Sequence, residues 1–151
     1  MASAIRIDGK AKAAELSAKI TEETAALARD HGIKPGLAVV IIGEDPASQV
    51  YVRNKKRTAE ACGFHSLQHS LPADVSEKEV LDLIASLNDD ESLHGILVQL
   101  PLPGQLEEQR ITQSILTSKD VDGFQYINIG KLTAGDTADA FVPCTPAGCM
   151  L

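Results

Sequence analysis

The continuous apolar run from Leu37 to Ile42 constrains the fold of this chain more than any other feature. It follows a Pro35-Gly36 turn and ends at Gly43, so it is too short for a buried helix and is typical of a strand covered on both faces. Before it, apolar residues recur at helical spacing from Lys10 to His31, and Gly32 supplies a stop. The pattern therefore predicts an amphipathic helix followed by a strand of a parallel sheet.

The same alternation of helix and strand continues along the chain. A helix is predicted from Ala47 to Cys62 and a strand from Phe64 to Leu71. Ser76 and Glu79 form a capping box, and the helix that they open precedes an apolar strand from Ile96 to Leu100. Repeated units of this kind predict an α/β fold with three layers, in which helices flank a parallel sheet through right-handed crossovers.

A shorter helix is predicted from Glu107 to Leu116, and a loop containing Asp120 to Gly123 follows it. In open parallel sheets, ligands bind beyond the carboxyl ends of the strands. The loops after Ile42, Leu100 and Leu116 are therefore the expected places for chemistry.

Charge and composition exclude several classes of function. The net charge of −7 and the pI near 5.0 argue against a partner such as nucleic acid or an anionic membrane. The longest apolar run is far shorter than the roughly 20 residues that a membrane-spanning helix needs. Met1 to Asp8 lacks the pattern of a secretory signal, so we expect a cytoplasmic protein. The basic stretch from Arg53 to Arg57 is either a solvated helix face or a local attraction for a small anion.

The cysteines and histidines indicate no metal site. Cys62, Cys144 and Cys149 have irregular spacing and form no CxxC pair, so they are predicted to be reduced thiols with structural roles. His65 and His69 share a strand face without an evident third ligand and are interpreted as surface residues.

Three polar residues of the second predicted helix share one face. Ser48, Tyr51 and Lys55 are spaced i, i+3 and i+7, and the helix starts where a buried strand ends. A lysine held against an aromatic ring and partly desolvated can serve as an acid or base near neutral pH. The alternative for Lys55 is an ordinary solvated surface lysine.

Two further residues have both a structural and a functional interpretation. Gln99 ends an apolar strand, where it either satisfies a backbone group or holds the Lys55 ammonium or a substrate carbonyl. Asp122, before Gly123, is either a turn residue or a carboxylate that pairs with an amidine-like donor edge such as that of a pterin.

These residues occur in four motifs that closely resemble the bifunctional methylenetetrahydrofolate dehydrogenase/cyclohydrolase family, in the family's order. The resemblance covers essentially the whole chain. The motifs are Gly43 to Val52 with Asn54-Lys55, Gly95 to Pro103, Lys119 to Gly123, and Pro143 to Pro146.

The resemblance implies a role for each candidate residue. Lys55 matches the catalytic lysine and Gln99 the glutamine that hydrogen-bonds to it. Tyr51 matches the tyrosine that packs on the folate ring, Asp122 the aspartate that binds the pterin, and Ser48 a nearby polar position that we assign to substrate binding. We expect Lys55, tuned by Gln99 and Tyr51, to serve the hydrolytic step.

The resemblance also implies the reactions of one-carbon folate metabolism. The family oxidises methylenetetrahydrofolate to the methenyl form with a nicotinamide cofactor, usually NADP in bacteria, and hydrolyses it to formyltetrahydrofolate. Its members are typically homodimers. We assign residues 1–151 to the folate-binding catalytic domain.

The glycine-rich loop of the family's Rossmann cofactor domain has no counterpart in these 151 residues. A helix start at Thr145-Pro146 followed by only a few residues adds to the expectation that the chain is a fragment, without dehydrogenase activity of its own. The alternatives are a dehydrogenase that lacks the hydrolytic step and a non-catalytic ligand-binding module with a flavodoxin-like sheet.

Overall fold

The computed structural model describes residues 8–150, which contain three parallel strands and six α-helices. The strands are β1 (Gly36–Ile42), β2 (His65–Leu71) and β3 (Gly95–Val98), in the spatial order β2-β1-β3. The helices are α1 (Gly9–His31), α2 (Pro46–Ala61), α3 (Glu77–Asp89), α4 (Glu108–Gln113), α5 (Tyr126–Ala134) and α6 (Cys144–Cys149), and a 3₁₀ turn spans Thr117–Lys119.

The central strand β1 divides the core into two layers. Val40 and its neighbours at every second position face α3 and α4, whereas Val39 and Ile41 face Val52 of α2. Side chains alternate between the faces of a strand, so a run that is apolar at every position must be covered on both sides. The three-layer α/β fold that the sequence predicts is confirmed.

Helix ends follow the predicted capping chemistry. The side chain of Ser76 accepts a hydrogen bond from the backbone of Glu79, and the carboxylate of Glu79 accepts one from the backbone of Ser76, which completes the capping box of α3. Helix α1 ends at Gly32, whose φ of 68° is left-handed.

Helix α1 buries little of its predicted apolar stripe. Thr24 is its only buried residue among those described, and Leu16 and Leu27 are 43% and 39% exposed. The helix contacts the residues that follow α2. A Cβ added to Gly63 would lie 3.2 Å from the methyl group of Thr24. The spacing predicted the helix correctly, but its apolar side covers only a small part of the core.

The predicted end of β3 and the predicted start of α6 were wrong. Strand β3 ends at Val98, so Gln99 lies just beyond it, although its N–H still donates to the carbonyl of Val40 at 2.8 Å. Proline at position 101 has no N–H with which to extend the ladder. Helix α6 begins at Cys144 with Pro143 as its N-cap residue, rather than with Thr145.

Helix α4 stops at Gln113, three residues before its predicted end. The side chain of Asn88 on α3 donates to the carbonyl of Ser114 at 2.9 Å and accepts from the N–H of Leu116 at 3.0 Å. The Asn88 side chain thus hydrogen-bonds to the backbone carbonyl and N–H groups that would otherwise pair within a further turn of α4. Within the described part of the chain, no helix is both long and apolar enough to cross a bilayer.

Candidate active site

The candidate site lies where the carboxyl ends of β1 and β3 meet α2. The ammonium of Lys55 donates to Oε1 of Gln99 at 3.0 Å. The amide nitrogen of Gln99 donates to the carbonyl of Leu100 at 2.7 Å, which fixes the orientation of the amide. Both ends of the Gln99 amide are therefore paired, and its oxygen faces the lysine.

A tight turn between β1 and α2 places the lysine. Gly43 has a left-handed φ of 81°, and the Asp45 carboxylate then accepts the N–H of Ser48 at 2.7 Å as the N-cap of α2. Hydrogen bonds from the backbone and side chain of Ser48 lower the pKa of Asp45. The start of α2 is thus fixed directly beyond β1, and Lys55 follows two turns later.

The other two candidates on α2 have different environments. Tyr51, one turn before Lys55, is 63% exposed, so its ring is open to a ligand. Ser48 is buried at 6% exposure and hydrogen-bonds to Asp45. The structure therefore brings Lys55 and Gln99 together and leaves Tyr51 beside them, whereas Ser48 supports the helix start.

Asp122 faces the lysine from the loop after the 3₁₀ turn. Burial raises the pKa of its carboxyl, the charge on Lys55 lowers it, and Asp120 raises it further. Burial raises the pKa of the Cys144 thiol, and the charge of Asp122 raises it further. The thiol therefore lies near the Asp122 carboxylate. Asp122 is thus a half-buried carboxylate that lies within the electrostatic influence of the Lys55 cation.

Gly123 allows this loop to contact the segment before α6. Its φ is +70°, and a Cβ at this position would lie 2.5 Å from the carbonyl oxygen of Phe141 and 3.0 Å from the Pro143 ring. Only glycine fits such a close approach of two backbone segments.

We expect Gly123→Ala to destabilise the fold more than Gly135→Ala, which provides a matched control. Gly135 also has a left-handed φ, of 77°, but its Cβ would have nothing within 4 Å. Alanine at either position loses about 1–2 kcal/mol from the left-handed backbone, and Gly123→Ala adds roughly 1–3 kcal/mol of overpacking. Equal losses of unfolding free energy in urea would contradict the close approach.

Sequence reasoning did not single out two buried polar residues near this loop. Asp120 is 2% exposed and Asn128 is 1% exposed, and the Asn128 amide donates to the Asp120 carboxylate at 2.8 Å. The available signal was an asparagine between two isoleucines, Ile127 and Ile129, in a short apolar segment. Helix α5, which carries Asn128, was itself not predicted.

The arrangement can bind a flat polar ligand and move a proton. Tyr51 offers an open ring, Asp122 a carboxylate with free lone pairs, and Lys55 a proton donor oriented by Gln99. Among the described residues, no group of three or more His, Cys, Asp or Glu side chains is placed to hold a metal ion.

Comparison with known proteins identifies the family. The model of one family, described as "Tetrahydrofolate dehydrogenase/cyclohydrolase, catalytic domain", matches residues 7–122. The chain belongs to this family. The match includes Tyr51, Lys55, Gln99 and Asp122, and it ends before α5.

Curated relatives and solved structures agree with this assignment. The bifunctional protein FolD of Brucella ovis is 57% identical over 145 residues, which are 96% of this chain and 48% of that protein. The bifunctional FolD dehydrogenase/cyclohydrolase of Campylobacter jejuni has a TM-score of 0.91 at 46% identity, over 95% of this chain and 50% of that one. The chain therefore spans about half the length of the relatives that it matches.

A third similar protein was crystallised with ligands. The methylenetetrahydrofolate dehydrogenase-cyclohydrolase of Trypanosoma brucei, in complex with NADP and an inhibitor, has a TM-score of 0.93 at 38% identity. It aligns with 99% of this chain and 51% of its own. The α/β fold described above is thus the fold of one half of these enzymes.

Proposed function

We propose that residues 1–151 are the folate-binding catalytic domain of a bifunctional enzyme of one-carbon metabolism. The enzyme oxidises methylenetetrahydrofolate to methenyltetrahydrofolate with NADP and then hydrolyses it to formyltetrahydrofolate. The observation that carries the proposal is the hydrogen bond of 3.0 Å between Lys55 and Gln99, with the half-buried carboxylate of Asp122 facing the same lysine. The bifunctional dehydrogenase/cyclohydrolases among the relatives support both activities.

Each site residue has a proposed role. Asp122 pairs with the amidine-like edge of the pterin, and the exposed ring of Tyr51 packs on the flat ring system. Lys55 moves the proton when water attacks the methenyl bridge, and Gln99 holds the ammonium in place. Ser48 acts at the start of α2, where its contact with Asp45 fixes the helix that carries Tyr51 and Lys55.

The two reactions make different demands on this domain. Hydride transfer requires mainly that the folate carbon be held in a fixed position, and NADP accepts the hydride when it is bound. The hydrolytic step requires a proton donor or acceptor beside the bridge. Lys55 is therefore assigned to hydrolysis, and the folate contacts of Tyr51 and Asp122 serve both steps.

The start of α2 does not fit a phosphate group of NADP. The start of α2, the one helix that directly follows β1, is occupied by the Asp45 carboxylate, which would repel a phosphate. The sequence also lacks a glycine-rich dinucleotide loop. We therefore place the cofactor on a second domain, and we propose that the whole enzyme is a cytoplasmic homodimer.

Tyr51→Ala is expected to weaken the binding of 5-formyltetrahydrofolate, a stable reduced folate. Stacking of a flat heteroaromatic ring on an aromatic side chain contributes about 1–3 kcal/mol, or roughly 5- to 150-fold in affinity. Val50→Ala is the control, because Val50 precedes Tyr51 on the same helix and is also exposed, at 45%. Isothermal titration of both variants measures the difference, and an equal loss in the two would exclude a stacking role for Tyr51.

The function itself is tested in a chimera. This chain replaces the homologous half of the Campylobacter jejuni enzyme, which it matches over 50% of that chain. Both activities in the chimera, and no NADP-dependent oxidation by the 151-residue chain alone, are the expected results. Dehydrogenase activity without hydrolysis would favour a single-activity enzyme, and a chain that ignores reduced folates would favour a binding module for another ligand.

A further inference from the structure

We propose that Asn128 is a positioning residue for folate binding, which it serves by holding the loop Asp120–Gly123 against the segment Phe141–Cys144. The inference rests on the proposed function of Asp122 as the residue that binds the pterin. Asn128 itself lies on α5, outside the segment that the family model matches.

Asn128 is bonded on both sides of its amide. Its nitrogen donates to the Asp120 carboxylate at 2.8 Å and to the Thr117 carbonyl at 3.3 Å. Its oxygen accepts the N–H of Phe141 at 3.2 Å. One buried amide thus joins the 3₁₀ turn, the Asp122 loop and the segment before α6.

Asp120 transmits this contact to Asp122. Its carboxylate also accepts the N–H of Gln125 at 2.7 Å, and its own carbonyl accepts the N–H of Gly123 at 3.2 Å. Asp120 further forms a parallel bridge with Ile96 of β3, which ties the loop to the sheet. Asp122 lies between these two fixed residues, Asp120 and Gly123, so its position depends on the same network.

Helix α5 depends on Asn128 because its apolar residues contribute little to burial. Ile127 is 56% exposed and Ile129 is 43% exposed, whereas Asn128 is the buried residue of the helix. Helix α5 and the Asp122 loop are therefore held together by buried hydrogen bonds. Loss of one of these bonds leaves a buried polar group without a partner. A substitution at Asn128 should displace the loop without removing side chains from the hydrophobic core.

The variants Asn128→Leu and Asn128→Asp test the inference in the 151-residue chain. Leucine removes all three hydrogen bonds, and aspartate keeps the acceptor for Phe141 but places a second carboxylate beside Asp120. Asn88→Leu is the matched control, because Asn88 also bonds in two directions, to Ser114 and Leu116. Titration with 5-formyltetrahydrofolate, well below the melting temperature of each variant, gives the dissociation constants.

We expect affinity to fall about tenfold or more in both Asn128→Leu and Asn128→Asp, with Asn88→Leu within about twofold of the unsubstituted chain. A folded Asn128→Asp or Asn128→Leu variant that binds as tightly as the unsubstituted chain would overturn the inference. An equal loss in Asn88→Leu would also overturn it, since the effect would then follow general stability. If Asn128→Leu does not fold, Asn128→Asp decides.

A second readout separates this inference from the proposed function. The pH titration of the Asp122 carboxyl, followed by carbon NMR, reports its surroundings, in which Lys55, Asp120 and Cys144 are the titratable neighbours. Loosening the loop should bring the Asp122 midpoint in the Asn128 variants closer to that of an ordinary aspartate. If the unsubstituted chain binds no folate and this shift still occurs, the proposed function fails, whereas the role of Asn128 in fixing the Asp122 loop stands. An unchanged midpoint would overturn the positioning role.

Discussion

Lys55→Met is expected to lower the cyclohydrolase rate by a factor of about 10² to 10⁴, the usual contribution of a positioned acid or base. Methionine keeps most of the length and apolar volume of the side chain but cannot donate to Gln99 or carry a proton. The Michaelis constant should change less than the rate, because the ring and pterin contacts of Tyr51 and Asp122 are retained. The decay of methenyltetrahydrofolate absorbance in the chimera measures both quantities.

Lys56→Met controls for the loss of a positive charge. Lys56 is the next residue on α2, and it lies 3.9 Å from the Glu60 carboxylate, in a surface pair that contributes little. It should leave the hydrolytic rate within about twofold. A Lys55→Met variant with full cyclohydrolase activity would remove this residue from the mechanism, whereas parallel losses at both positions would indicate a field effect of the basic stretch.

Asp122→Asn is expected to weaken the binding of reduced folate by about 10- to 150-fold, since a hydrogen bond to a charged group contributes about 1.5–3 kcal/mol. The asparagine amide keeps the size of the side chain but presents a donor where the amidine-like edge of the pterin needs an acceptor. Dehydrogenase and cyclohydrolase activities should fall together at low folate concentration, because both use the same bound substrate. Loss of only one activity would contradict a shared pterin contact.

The same substitution should stabilise the fold at neutral pH. Burial raises the pKa of Asp122 above its unfolded value, so the stability associated with its protonated form is present below the unfolded pKa and is lost as pH rises through the folded pKa. At neutral pH the ionised carboxylate therefore opposes folding, whereas the neutral amide of the Asp122→Asn variant does not. The melting temperature of Asp122→Asn should exceed that of the unsubstituted chain at pH 7, and the difference should shrink in acid. A variant that is less stable at pH 7 would show that Lys55 outweighs burial.

The sequence determined the main elements of the sheet and its helices because their signals are local. The apolar run that became β1 allows no exposed face, and the capping box at Ser76 and Glu79 fixes the start of α3 within a few residues. The spacing of Tyr51 and Lys55 placed both on one side of α2 for the same reason. The roles of these residues in catalysis remain predictions.

Tertiary contacts decided what local patterns could not. Helix α4 ends early because Asn88, on α3, hydrogen-bonds to the backbone that follows it. The spacing of apolar residues cannot predict such a contact from another helix. The sequence left open whether Gln99 pairs with a backbone group or holds Lys55, and in the folded chain it does both, because its amide nitrogen donates to the Leu100 carbonyl and its oxygen accepts from Lys55.

The candidate site shows the same division. The sequence alone identified Lys55, Gln99 and Asp122 as candidate site residues, because their residue types and the motifs that contain them can be read without a structure. The buried pair of Asp120 and Asn128, which fixes the loop of Asp122, became visible only when the chain was folded. Asp120 and Asn128 are eight residues apart, on a loop and on helix α5, whose apolar side chains are largely exposed. Whether an amide is buried beside a carboxylate depends on tertiary packing, which the sequence pattern does not encode locally.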